Sequence, residues 1–270
     1  ALRSGDRDRY LATLVLTGAP RDAVTALYAF NADVASIRDR VSDPAPGEMR
    51  LQWWSDALDG EGHGAVRQNP VADALLDSIE RYDIAAGTLL RLIGARRFDL
   101  YDDPMPDLDS FEGYAGETVS TLYQLAAMIL NDGKTIETGD AAGHLGVAHA
   151  MIGHLRAFGH FASQGRIMLP WSIFEANGVR EGEIFSGTES EGLSEALGQI
   201  GELAADHLAK AEAAIARLPG HLKPAFAPVA VLRGQQNRLR ERAGGMFAVP
   251  PEEADWRKIT RLAWWNWRNR

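Results

Sequence analysis

The chain has no cysteine among its 270 residues. That excludes disulfides, thiol chemistry and cysteine-ligated zinc, and it fits a reducing compartment. Lysine is nearly as scarce, with four against 24 arginines. Together with the alanine and glycine content, this bias points to a GC-rich bacterial genome. No apolar run approaches the roughly 18–20 residues that span a bilayer. The first residues, "ALRSGDRDRY", are charged and lack an apolar signal core. A cytoplasmic location is therefore expected, with peripheral attachment at an inner membrane left open by the C-terminal segment. Positive charge is not in excess: Asp and Glu total 37 against 28 Lys and Arg, a net charge of −9. Proteins that hold nucleic acid usually neutralise phosphate with a basic face, so no nucleic-acid partner is expected. There is also no P-loop, no GxSxG elbow and no HExxH pair.

What is present is helical periodicity. Leu193, Leu197, Ile200, Ala204, Leu208, Ala211, Ile215 and Leu218 recur at three- and four-residue steps, which predicts one long helix over 190–218. "DSFE" at 109–112 reads as a capping box, with Asp109 at the cap, opening a helix to about Leu130; a further helix is expected from Asp140 to Ala162. Turn-forming stretches such as "SDPAPGE", "GEGHGAVRQNP", "YDDPMP" and "SGTESEG" divide the chain into ten to twelve helices. No alternating run makes a strand, so the expected class is all-α. No internal repeat or long linker separates domains. One compact domain over 1–250 is expected, with the segment 251–270 as a terminal helix packed on it, following "AGGMFAVPPEE".

Three features invite a functional reading. Asp33, Asp39 and Asp43 lie on or beside a helix that Pro44 is expected to end. His144, His149 and His154 recur every five residues, so they spiral around a helix instead of converging as the four-residue step of zinc helices would make them. No metal is expected there. On the same helix Gly143, Gly146, Ala150, Gly153 and Ala157 share one face. Glycine in a helix costs up to about 1 kcal/mol relative to alanine, so the series needs a reason. Either a neighbouring helix approaches closely, or the face is a smooth wall for an apolar ligand. Finally, "DWRKITRLAWWNWRNR" concentrates four of seven tryptophans with five cations. It suits a membrane–water interface through Trp264, Trp265, Trp267 and Arg268, or else it docks Trp256, Ile259 and Leu262 on the core.

Several stretches taken together resemble the squalene/phytoene synthase superfamily: "RYLATLVLTGAPRDAVTALYAFNADVASIRD", "YAGETVSTLYQLA" and "GRIMLPWSIFEANGV". The resemblance implies an isoprenoid-synthase helical bundle whose central cavity, in active members, holds prenyl diphosphates against magnesium bound by facing aspartates. Aligned on Tyr28-Ala29-Phe30, the first aspartate motif falls at Ala35, Ser36 and Asp39, and only Asp39 is retained. Ala32 stands where the family has an arginine. Aligned on Leu169-Pro170, the second motif reads Gly153, Arg156, Ala157 and Phe161, and Met168 replaces a tyrosine. One or two carboxylates do not hold a magnesium cluster able to neutralise a leaving diphosphate. No cofactor is therefore expected, and Asp39 with Arg156 is expected to form an ion pair across the cavity mouth. These departures, with "RLQWWSDAL" and "LRAFGHFASQGRIMLP", resemble the phytoene-synthase-like proteins related to mitochondrial complex I assembly factors. The implied function is a non-catalytic assembly or lipid-binding factor at a membrane surface. Its partners would be a respiratory-complex protein and an isoprenoid or other apolar chain, held by Tyr28, Tyr114, Ser120, Gly146, Ala150, Gly153 and Ala157. The alternative is an active prenyltransferase that uses magnesium at Asp39, Asp33 and Arg156.

Overall fold

The computed structural model describes residues 1–62, 64–240 and 245–269. Among them there is no strand, and fifteen α-helices follow one another. The first three are α1 (Leu2–Gly5), α2 (Arg7–Thr13) and α3 (Gly18–Ala35). Beyond a short 3₁₀ turn at Arg38–Arg40 comes α4 (Pro44–Asp59). Pro44 therefore opens a helix instead of ending one: it occupies the first turn, where its missing N–H has no helical partner to lose. Then come α5 (Pro70–Tyr82), capped by the Asn69 side chain, and α6 (Ala86–Arg96).

The helix α7 (Leu108–Ala115) is capped by Asp107, whose carboxylate accepts from Ser110 N at 2.8 Å. The capping box expected at Asp109 lies inside the first turn instead. A π turn at Gly116–Ser120 leads into α8 (Thr121–Leu130). The helix expected over 140–162 is two, α9 (Gly139–Arg156) and α10 (Phe158–Ser163), broken at Ala157. Gly159 follows the break because the Phe247 backbone lies directly over it: a Cβ there would come within 1.8 Å of the Phe247 carbonyl oxygen. Next are α11 (Trp171–Ala176), α12 (Glu181–Phe185) and α13 (Glu191–Arg217). Last come α14 (Pro228–Arg240) and α15 (Asp255–Arg268). The count exceeds the ten to twelve expected because pieces of four to six residues are too short to show a 3.6-residue period.

The helix α9 is central. Its buried residues, among them Ala141, Leu145, Val147, Met151 and Ile152, point in every direction, as in a helix surrounded by others. It packs along α13, whose Leu193, Ala196, Ile200, Ala204, Leu208 and Ala211 form the buried seam. The alanines in both faces let the two axes approach closely. Helices α3 and α5 pack on each other through Leu27, Phe30, Ala72 and Leu75 in the same apolar core. At the edge, α15 seats Leu262 and Trp265 against Leu11, Ala12, Ala227 and Val231. Residues 243 and 244, the first two of the "AGGMFAVPPEE" stretch that precedes the terminal helix, lie outside the described residues.

Candidate functional site

Asp33 and Asp39, the candidate carboxylates of the first motif, are not paired. Asp33 sits on the last turns of α3, where it accepts a hydrogen bond from Trp54 Nε1 at 2.9 Å and faces Arg40 Nη2 at 3.0 Å. Asp39 is exposed on the 3₁₀ turn, and its side chain has no hydrogen bond or ion pair among the described residues. Because α3 ends at Ala35, the two carboxylates lie on different elements and do not face a common point along one helix.

The expected ion pair between Asp39 and Arg156 is not formed. Arg156, on the last turn of α9, lies 2.5 Å from Glu252 Oε1 and 3.8 Å from Asp8 Oδ2. Lys258, on α15 and only 2% exposed, closes the ring with Asp8 Oδ1 at 2.5 Å and Glu252 Oε2 at 3.0 Å. Gln235 donates to the second oxygen of Asp8. Burial works against the Lys258 ammonium, but its hydrogen bonds to the two carboxylates outweigh that and hold its pKa above the usual value. Burial likewise works against the Glu252 carboxylate, yet Lys258 and Arg156 hold it below its ordinary range.

Beside this ring is a cavity of about 200 Å³, lined by Asp6, Arg9, His149, Gly153, Arg156 and Gln235 among others. Arg9 is 7% exposed, pairs with Asp6 at 2.7 Å, and lies over the Tyr28 ring at 5.6 Å. Burial pushes the Tyr28 hydroxyl up to about 12 and the His149 imidazole down to about 3. His149 Nδ1 meets the Tyr123 hydroxyl at 2.7 Å. The three charges of Arg9, Arg156 and Lys258 are matched by Asp6, Asp8 and Glu252. The site is charge-balanced, so an incoming diphosphate, with roughly three negative charges to neutralise, meets no surplus cation. Nor do these residues fit a magnesium cluster: every carboxylate here is already held by a cation, and among the described residues no three His, Asp or Glu side chains converge.

Of the residues expected to line an apolar cavity, only Gly153 faces this one. Gly146 is filled: a Cβ there would lie 2.1 Å from Ser120 Oγ and 2.5 Å from Ser120 N, so that part of the small face exists to let the π turn approach α9. Ser120 Oγ donates to Gly143 O at 3.2 Å. Tyr114 is buried, donates to Asp99 Oδ1 and accepts from Arg96 Nη1, both at 2.7 Å. Ala150 is buried within α9, and Ala157 sits at the α9 break. The cavity lining is mixed, with Pro228, Val231 and Leu232 beside the charged groups. A larger open pocket of about 580 Å³ lies near Leu155, Leu197, Leu239 and Met246. Nine residues of helix separate Leu155 from Gly146, placing them on opposite sides of α9. The three histidines of α9 have three different surroundings: His144 meets His207 at 3.1 Å, His149 meets Tyr123, and His154 packs between Phe111 and Phe161.

The terminal helix divides its tryptophans. Trp265 and Leu262 pack inward, whereas Trp256, Ile259, Trp264 and Trp267 are exposed, so Trp265 leaves the outward set expected with Trp264 and Trp267, and Trp256 and Ile259 do not dock as the alternative had them. The inward grip is ionic as much as apolar, with Lys258 in the ring and Arg261 and Arg238 on Glu253. Asp8, Arg9, Glu252 and Lys258 were not legible as a site. Asp8 and Lys258 are 250 positions apart, and the only local hint was the acidic "PPEE" before a cationic helix.

Comparison with known proteins places this geometry. NADH dehydrogenase (ubiquinone) complex I, assembly factor 6, from Bos taurus is 28% identical over 89% of this chain and 72% of its own length. The Homo sapiens protein of that name is 29% identical over 83% of this chain and 67% of its own. Phytoene synthase 1 from Arabidopsis thaliana is 27% identical over 66% of the chain and 43% of its own length. Eukaryotic proteins thus stand among the relatives, and the composition-based expectation of a bacterial source gains nothing from them. A solved dehydrosqualene synthase superposes with a TM-score of 0.79 over 97% of this chain and 91% of its own, at 18% identity. A squalene synthase from Alicyclobacillus acidocaldarius gives 0.74 over 89% and 90% at 17% identity; both show the shared all-α isoprenoid synthase fold. The family profile described as squalene/phytoene synthase matches residues 2–265, and the chain belongs to that family.

Proposed function

We propose that this protein is a non-catalytic member of the squalene/phytoene synthase family that acts in the assembly of a respiratory complex at a membrane surface. The observation that carries this reading is the fate of Arg156. It is the one residue kept from the second motif, and Asp8 and Glu252 of the chain itself occupy it. Ionising an allylic diphosphate requires free positive charge, from magnesium or guanidinium groups, at the leaving group. Here the cations are neutralised internally, Asp39 stands alone, and positions 153, 157 and 161 carry Gly, Ala and Phe. The relatives named as complex I assembly factors align over more of the chain than the phytoene synthase does, which supports the assembly role. The cavity beside Arg156, at about 200 Å³, is below the roughly 300–1,000 Å³ of typical ligand pockets, whereas the open pocket of about 580 Å³ near Leu155 and Leu197 falls within that range.

The test is pyrophosphate release from farnesyl and geranylgeranyl diphosphate by the purified chain, with and without magnesium. No release above background is expected. Magnesium-dependent turnover that Asp39→Ala abolishes would overturn the proposal in favour of a prenyltransferase with a rearranged site at Asp39, Asp33 and Arg156.

A further inference from the structure

The ion pairs that hold α15 to the body also determine which of its faces is left outside. Lys258 is bound by Asp8 and Glu252, Arg261 by Glu253, and Asp255 by Arg7. With Leu262 and Trp265 these groups occupy the inward half of the helix. At roughly 100° per residue, Trp256, Ile259, Thr260, Ala263, Trp264 and Trp267 fall together on the other half, and Arg257 and Arg268 lie along its edge beside Trp264.

All eight are exposed; Trp256 is 64%, Trp264 58% and Trp267 66% accessible, and the Trp264 and Trp267 rings touch at 5.1 Å between centroids. Arg257 lies over the Trp256 ring, and neither it nor Arg268 enters an ion pair among the described residues. This half of the helix carries no acidic residue, in a chain with nine more acidic than basic groups. Beside Trp264 and Arg268 a groove of about 380 Å³ opens, lined also by Arg233, which pairs with Glu212 in the same lining, and by Arg261, which pairs with Glu253.

We infer that this face of α15 docks on an anionic lipid bilayer, with the helix lying in the plane of the interface. The inference rests on the reading that the protein works at a membrane surface, and it names the surface and the lipid charge. Tryptophan and arginine on one face, without carboxylates, match an interface in which rings sit at headgroup depth and guanidinium groups meet lipid phosphate. From Trp256 to Trp267 the stripe is about 16 Å long at about 1.5 Å per residue, enough to define an orientation. The acidic remainder of the protein is repelled by the same bilayer, so only this side approaches it. Of the arginines at this groove Arg268 has no ion pair among the described residues, and it is the one that would meet a lipid phosphate beside the inserted Trp264.

The experiment is co-sedimentation of the full chain with phosphatidylcholine vesicles, with and without phosphatidylglycerol. Binding is expected only with the anionic lipid and should weaken as salt rises. Replacing Trp264 and Trp267 together by alanine should lower binding about tenfold or more. Arg257→Gln with Arg268→Gln should lower it about tenfold at low salt. All four residues are exposed, and circular dichroism checks that each variant is folded. Vesicle binding that neither double variant changes would overturn the assignment to α15 while leaving a membrane-surface role in place. No binding to either vesicle would overturn both. Self-association in analytical ultracentrifugation that the tryptophan variant abolishes, without vesicle binding, would assign the face to a second copy of the chain and overturn the bilayer.

Discussion

Glycines that look alike in the sequence of α9 differ in their surroundings. Gly143 and Gly153 have open space where a Cβ would go, whereas a Cβ on Gly146 would collide with Ser120. Gly146→Ala should therefore destabilise by about 1–3 kcal/mol, as overpacking generally does. Gly143→Ala and Gly153→Ala should be neutral or stabilising by up to about 1 kcal/mol through helix propensity. Thermal denaturation of the three variants separates the outcomes, and equal losses at all three would contradict the close approach described for the π turn. His149 and His154 make a second prediction at this scale. Burial holds them at about 3 and about 4, so both are neutral in the folded protein at neutral pH. The unfolded chain protonates them near pH 6.5 and so binds more protons below that value. Their contribution is fully present above pH 6.5 and is lost as pH falls toward 4. At pH 5 the loss is about 1–2 kcal/mol per histidine. The paired carboxylates Asp6, Glu252 and Glu253 are all held below their usual range and give way only at lower pH. In His154→Phe, which keeps the contacts to Phe111 and Phe161, the melting temperature should fall less between pH 7 and 5 than in the parent.

Among the elements, α15 is the one whose place depends most on charge. Glu253 is 5% exposed and carries both Arg238 and Arg261, joining α14 to α15. Removing one partner of a buried ion pair leaves the others desolvated without compensation, at a cost of about 3–5 kcal/mol. Arg238 and Arg261 retain some contact with water, so Glu253→Ala should cost about 3 kcal/mol, at the lower end of that range. It should also raise amide exchange selectively in α15, which hydrogen-exchange mass spectrometry would resolve. A uniform rise across α9 and α13 would mean that the clasp supports the whole bundle and not the terminal helix alone. The longest helix was readable in advance because its period ran unbroken. In α13, the three- and four-residue spacing over 190–218 points to the observed Glu191–Arg217, and the structure adds Ser190 as its cap. The beginning of α4 was misread because proline ends one helix and begins the next with equal ease, and only the chain's path after Arg40 distinguishes the two.

At the scale of the whole molecule, the family's fold is retained and the charges around Arg156 are paired within the chain. The carboxylates that ring Arg156 come from α2 and from the segment before α15, and the exposed aromatic face is a consequence of how that same segment is anchored. No helix of the described residues is long and apolar enough to cross a membrane.

The helical class and the long helices were set by the sequence alone, because periodicity is a local property. Which charge meets which was decided by the tertiary structure. Arg156 had Asp39 as a candidate partner, but an ion pair requires atoms within about 4 Å, and the fold brings Glu252 there while leaving Asp39 in solvent. The same holds for α15: its composition suited either a core or an interface, and only the positions of Asp8, Glu252 and Glu253 determined which half of the helix was turned inward.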